Sequence, residues 1–249
     1  MSILSQIRPV HYLPILTTIL SLLFCVELFG RYRAKGKGAH LLWWGAGILA
    51  YGLGTGLESA ITLLGNSPGL NKAWYIAGAL LGGYPLAQGT VYLLCRRRTA
   101  NLLTAISAPA IVAISVLVLL SPTNLNALQP HRPSGAVLGW TWLRALTPLI
   151  NSYAALFLIG GAALSSWRYA RKRATASRAV GNALIAFGAL LPGIGGAMAK
   201  AGVVEALYVG EFVGLIFIWA GYAACVQVPR VAPPDVSWVA AAPAALKGR

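Results

Sequence analysis

Acidic side chains are scarce in this chain: five Asp and Glu stand against twenty Lys and Arg in 249 residues. Charged residues make up 10% and hydrophobic ones 57%, at a mean hydropathy of +0.69. That leaves too little polar surface to coat a water-soluble globule of this size. Cysteine is also rare. Cys25, Cys95 and Cys225 all fall in apolar segments with no CxxC spacing, which excludes a thiol-metal ribbon or dithiol redox motif. The three histidines, His11, His40 and His131, lie at the ends of apolar segments or between them. Intramembrane haem ligation is therefore excluded, as are HExxH and paired-aspartate metal sites, and no metal or cofactor is expected. Ser165 and Ser166 have no sequence hint of a base or oxyanion hole, so a serine hydrolase is not expected.

What the sequence does have is long apolar runs. Seven windows, at about 10–30, 39–65, 73–95, 101–121, 144–166, 178–200 and 203–226, are each long enough to cross a hydrocarbon core of roughly 30 Å. The first lacks a small-x-small cleavage site and runs into "RYRAKGK", so it reads as span 1 rather than a cleaved leader. The prediction is an all-α bundle of seven transmembrane helices over residues 1–227. A proline- and alanine-rich tail, 228–249, follows.

The basic residues mark its orientation. "RYRAKGK", "RRR", "RYARKR" with Arg178, and the tail residues Arg230, Lys247 and Arg249 hold fifteen of the twenty. Arg8, Lys72, Arg132, Arg144 and Lys200 fall on the other side. The positive-inside rule then places the amino terminus outside and the tail in the cytoplasm, with the plasma (inner) membrane as the expected location. The basic loops are expected to rest on anionic lipid, and nucleic acid is not an expected partner. The one long exterior connection, 122–142, carries Trp140 and Trp142 as interfacial residues.

An internal repeat organises the spans. "LPILTTILSLLF" (13–24) matches "TPLINSYAALF" (147–157), "GAGILAYG" (45–52) matches "GNALIAFG" (181–188), and "AWYIAGALLG" (73–82) matches "ALYVGEFVGL" (206–215). Spans 1–3 (10–95) and 5–7 (144–226) thus read as parallel repeats, and span 4 (101–121) is the linker that keeps them in one orientation. This three-one-three arrangement resembles the transporter–opsin–receptor superfamily, and the likeness is one of topology over the whole chain. The Pro-Gln pair of its PQ-loop branch is absent, as is the mid-span lysine that a rhodopsin uses for retinal. What the resemblance implies is a small-molecule transporter or receptor.

Two of the five acids fall deep within spans. At 1.5 Å per residue, Glu58 lies about 9 Å and Glu211 about 12 Å below the outer boundary, on spans running in opposite directions. Tyr51, Thr55, Glu58 and Thr62 share one face of span 2, and Tyr208, Glu211, Trp219 and Tyr222 one side of span 7. A charge facing lipid costs about 2.5–3.5 kcal/mol on insertion scales, so both stripes are expected to face the interior. Span 5 adds Arg144, Thr147 and Asn151, and span 3 adds Tyr84, Gln88 and Tyr92.

The combined expectation is a polar chamber open to the outside and narrowing toward Tyr84 and Gln88, with Glu58, Glu211, Tyr84, Gln88, Asn151, Tyr208, Thr55 and Arg144 as ligand-binding residues. Its ligand would be a proton, a cation or a small solute. The competing expectation for Glu58 and Glu211 is structural, as carboxyls tying helices together, with Arg144 or Lys200 as partners. Glu27, four residues before Arg31, is expected to pair with it, and Glu205 to cap span 7. Pro85 and Pro192 are expected to interrupt the backbone ladder, and the glycine clusters at 52–56, 82–83, 160–161 and 193–196 to pack helices closely. The leading functional expectation is a non-enzymatic transporter or ligand-binding membrane protein. A receptor-like protein or accessory subunit of a partner membrane complex is the alternative. A lipid-modifying activity with Glu58 or Glu211 as general base stands as a third.

Overall fold

The computed structural model describes residues 9–171 and 176–226. Among them the chain is helical, with only isolated bridges, Thr123 to Leu138 and Gln129 to Arg132, in place of strands. The helices are α1 (Leu13–Lys35), α2 (Ala39–Leu64), α3 (Pro68–Trp74), α4 (Tyr84–Leu94), α5 (Arg97–Leu120), α6 (Thr141–Ala154), α7 (Gly161–Ala170), α8 (Ala176–Lys200) and α9 (Glu205–Val226). Six stretches, Pro9–Lys35, Ala39–Leu64, Arg97–Leu120, Thr141–Ala170, Ala176–Lys200 and Glu205–Val226, are long and apolar enough to cross a membrane. This architecture is compatible with a polytopic membrane protein.

The third expected span is two pieces rather than one helix. From α3 the chain widens into a π-helical segment, Tyr75–Leu80, turns at 81–83, and resumes as α4. Pro85 has no N–H to continue the ladder, and the two glycines before it let the backbone turn. Span 5 carries a second π-helical segment, Ala155–Gly160, between α6 and α7. Pro192, by contrast, removes one ladder bond without ending its helix, and α8 runs on through it.

Local sequence explains the other ends. α1 opens with Pro14 in its first turn and closes on Gly36, whose left-handed φ of 61° lets its N–H reach the Tyr32 and Arg33 carbonyls. Ser67 caps α3 through the Leu70 N–H, with Pro68 behind it.

α1, α2, the α3–α4 span, the α6–α7 span, α8 and α9 form a closed ring, each packed on the next and α9 returning to α1. α5 stands outside the ring against α3, α4 and α6. Half of the apolar window of α2 is buried (50%) but only 11% of that of α5. Leu102, Ile106, Val112, Val116 and Leu119 of α5 are accordingly exposed, as lipid-facing residues are.

The closest helix pair is α8 with α9. Gly181, Gly188 and Gly195 recur every seven residues along α8, and a methyl on Gly188 would come within 2.6 Å of the Gly214 carbonyl. Of the expected glycine clusters, Gly52, Gly54, Gly161 and Gly195 do sit at tight contacts, whereas Gly193 and Gly196 face open space.

The segment 121–140 folds down over the end of the ring opposite the basic connections. Asn71 holds it through Ser134, giving a hydrogen bond to its carbonyl and taking one from its N–H. Asn66 donates to the Gln129 and Arg132 carbonyls. Arg132 in turn donates to the Ala199 carbonyl at the end of α8, and Lys72 to the Leu119 and Ser121 carbonyls at the end of α5. The expected tail, 228–249, lies outside the described residues.

Candidate functional site

The polar residues gather in two separate clusters rather than one chamber. The first is built on α2 and α9 with a contribution from α1. Glu58 is 2% exposed, and its carboxyl lies within hydrogen-bonding reach of that of Glu211. Glu211 is half-buried as a residue, but its Oε2 is enclosed and takes no hydrogen bond from any ordinary donor among the described residues.

The surrounding hydroxyls have other partners. Tyr51 donates to the main-chain carbonyl of Glu211 (2.9 Å), which ties α2 to α9 at the acid itself. Thr18 of α1 pairs with Thr55 (2.9 Å), and Thr62 with Tyr208 (3.2 Å). No Arg or Lys side chain donates to either carboxyl among the described residues. Among the described residues the pair is therefore acid against acid.

Two ionised carboxylates at such a separation repel strongly in a medium that screens poorly. A hydrogen bond between them needs a proton on one. The cluster can thus hold one proton in place, release it, or exchange it for another cation.

The second cluster lies across the ring, between α4, α5 and the α6–α7 span. Gln88 is fully buried; it donates to Thr104 Oγ1 (2.6 Å) and to the Ala100 carbonyl, and accepts from Tyr153 (2.6 Å). Tyr84 pairs with Ser107 (2.7 Å), and Tyr92 donates to Asn101 and accepts from Thr104. Every group here is neutral and has a partner.

Of the eight expected ligand residues, Glu58, Glu211, Thr55 and Tyr208 share the first cluster, and Tyr84 and Gln88 the second. Arg144 and Asn151 join neither: both are exposed on α6. Arg144 lies near Tyr75, whose hydroxyl pairs with Thr147, and close to Gly135 of the covering segment. Helical period put Arg144 and Asn151 on one face of their span, but did not say that α6 turns that face away from the acids. Nor do Trp219 and Tyr222 line the acid site. Farther along α9, Trp219 stacks on Phe24 and Tyr222 packs tilted against it, and Trp219 donates to Glu27 (2.7 Å), whose expected partner is Arg31.

The acids also do not line the cavity inside the ring. The 121–140 segment covers the end nearest the acids, with His131 against the Thr62 carbonyl. The cavity inside the ring lies at the other end, among the basic residues. Tyr153, Thr104 and Ser107 were missed as site residues. Asn101, Thr104 and Ser107, three apart on the supposed linker, mark a polar face that helical spacing could have revealed.

Comparison of the chain with protein-family models, with curated proteins and with solved structures finds no match.

Proposed function

We propose that this protein moves a proton, or a small solute or cation exchanged against one, across a membrane through the Glu58–Glu211 pair. The observation that carries this reading is the meeting of two carboxyl groups from antiparallel helices in an enclosed site where, among the described residues, no Arg or Lys pairs with them. A purely structural tie is more simply made by neutral groups, as the Gln88 cluster illustrates, whereas an unpaired intramembrane acid is costly to keep. In the same reading the chain has seven spans, with the amino terminus and the 121–140 segment outside and the basic connections in the cytoplasm of a plasma (inner) membrane. The distribution of Lys and Arg supports that orientation, with anionic lipid against the basic loops.

The parallel repeat has support in the helix neighbours. A repeat that equates spans 1, 2 and 3 with 5, 6 and 7 requires the contacts 1–2, 2–3 and 1–7 to recur as 5–6, 6–7 and 5–3, and α1, α2, α4, the α6–α7 span, α8 and α9 pack in that pattern. Glu211 then stands where Gly78 does in the first repeat, so the acid pair breaks the symmetry of the scaffold.

The test is proton flux into proteoliposomes containing the full chain, under an imposed pH gradient and read with an entrapped dye. The expected result is a flux that Glu58→Gln or Glu211→Gln reduces at least about ten-fold, because glutamine keeps the hydrogen bond and shape but not the transferable proton. Absence of flux in the unaltered chain, or unchanged flux in both variants, overturns the reading. Absence of flux together with a co-purifying membrane protein would favour an accessory subunit.

A further inference from the structure

The cavity inside the ring is a site of a different kind, whose nearest wall begins about 10–15 Å along α2 and α9 from the acids at 1.5 Å per residue. It encloses about 350 Å³ and is walled by all six ring elements. That volume is in the range of small-molecule sites, roughly 300–1,000 Å³. Its deep wall is apolar: Phe24, Ile48, Leu86, Leu158 and Ile218 come from five of those elements.

Its rim is basic. Arg31 and Lys35 from α1, His40 from α2 and Arg178 from α8 line the same end. Arg31 and Arg178 are half-buried, each with its guanidinium over an aromatic ring, Tyr222 at 5.8 Å and Tyr169 at 5.9 Å. The nearest acid on α1, Glu27, is held by Trp219 and does not line the cavity.

A second observation points to a polar ligand. Tyr222 is 4% exposed and lines the cavity, yet its hydroxyl has no hydrogen-bond partner among the described residues. Arg31 reaches toward that hydroxyl without closing a bond of good geometry. A buried polar group is seldom left unpaired without a reason.

We propose that this cavity binds a single-chain amphipathic anion: a phosphate or carboxylate held by Arg31, Arg178 and the Tyr222 hydroxyl, with its apolar chain along Phe24, Ile48 and Leu86. The basic rim selects against cations, and the apolar wall against small hydrophilic anions. The volume suits one chain rather than a two-chain phospholipid. The tail that begins beside Val226 is itself net basic, with Arg230, Lys247 and Arg249 against Asp235, and does not complement such a rim. The site is independent of the acid pair and stands or falls separately from it.

The test is equilibrium binding of labelled dodecyl phosphate to the full chain in phosphatidylcholine nanodiscs, with protein-free discs as the blank. Saturable binding is expected, competed poorly by dodecanol, which keeps the chain without the charge, and by inorganic phosphate, which keeps the charge without the chain. The double variant Arg31→Gln, Arg178→Gln should weaken it about ten-fold or more, and Arg31→Lys, Arg178→Lys should restore most of it. Tyr222→Phe should weaken it about three-fold to ten-fold. Equal competition by dodecanol overturns the anion requirement, and equal competition by inorganic phosphate overturns the chain requirement. Binding unchanged in the Gln variant, while the Lys variant confirms a folded protein, removes the site altogether.

Discussion

The two polar clusters are built on different helices, one on α2 and α9 and the other on α4, α5 and α6, and they differ in chemistry. Around Gln88, neutral hydroxyls and amides are all partnered, joining α5 to α4 through Ser107 and Thr104 and α6 to α4 through Tyr153. Around Glu58 and Glu211, two acids meet with no base among the described residues, and the nearby hydroxyls of Tyr51 and Thr18 are spent on the backbone and on another hydroxyl. A neutral network loses only hydrogen bonds when disturbed, whereas an acid pair also governs whether a proton is present. The first kind of cluster fixes helices. The second can change state while the helices stay where they are.

The largest effect should therefore appear in activity at one cluster and in stability at the other. Glu211→Gln is expected to abolish proton flux with little change in thermal unfolding of the solubilised chain. Gln88→Leu is expected to do the reverse. It leaves the half-buried Tyr153 hydroxyl without its acceptor, at a cost of about 1–3 kcal/mol, whereas Thr104 keeps the Ala100 carbonyl and the Tyr92 hydroxyl; flux per folded protein stays within about two-fold. Flux and thermal unfolding measured on the same preparations decide it. If Gln88→Leu removes flux from a folded protein, the two clusters form one pathway and the separation drawn here is wrong.

How far the sequence foretold this division depends on what kind of signal each residue carried. Span positions were legible because hydrophobic length is a one-dimensional property, and the depth match of Glu58 and Glu211 followed from rise per residue alone. Their meeting in the structure agrees with that depth. What one dimension lacks is the rotation of each helix about its axis and the order of helices around the ring. Arg144 and Asn151 have the right depth and spacing, but α6 turns them outward. Tyr84 and Gln88 have a depth that suits a shared chamber with the acids. Thr104 and Ser107 on α5 instead draw both residues to the far side. The break at 81–83 was partly legible from Pro85, but Pro192 carried the same signal and α8 runs through it. A proline's effect depends on whether neighbours can hold the helix together, and α9, packed against α8 at glycine contacts, does so.

A smaller effect tests the wall between the clusters. Gly54 of α2 faces the π-helical segment before α4, and a methyl there would come within 2.9 Å of the Gly78 Cα. Both contacting groups are backbone, so nothing flexible can yield. Gly54→Ala should push α2 away from Gly78 and destabilise the fold by about 1–3 kcal/mol. Gly193→Ala, a helix-interior glycine with open space around it, should instead gain up to about 1 kcal/mol. Thermal unfolding of the two variants side by side checks the sign of each. Because Glu58 is one turn from Gly54, Gly54→Ala should also reduce flux more than its loss of stability explains.

The smallest effects come from deleting one hydroxyl in each cluster, and they sharpen the comparison most. Tyr84→Phe removes a 2.7 Å bond to Ser107, but Ser107 keeps the Leu103 carbonyl as an acceptor (2.6 Å), so no group is stranded. Single interhelical hydrogen bonds within membrane bundles contribute about 0.6 kcal/mol on average, and a loss of that order is expected, with flux unchanged. Thr62→Val removes the 3.2 Å bond to Tyr208 and should cost a similar amount. Here the consequence differs, because Tyr208 is buried beside Glu58 and Glu211, and its hydroxyl, once released, has a carboxyl oxygen as its natural acceptor. A phenol donating to one acid favours that acid without its proton and loosens the bond between the two. Thr62→Val should therefore change flux about two-fold to five-fold at nearly the same stability as Tyr84→Phe. Equal flux in the two variants would mean that Tyr208 is packing alone, and that the proton is governed by the two carboxyls without help from the hydroxyls around them.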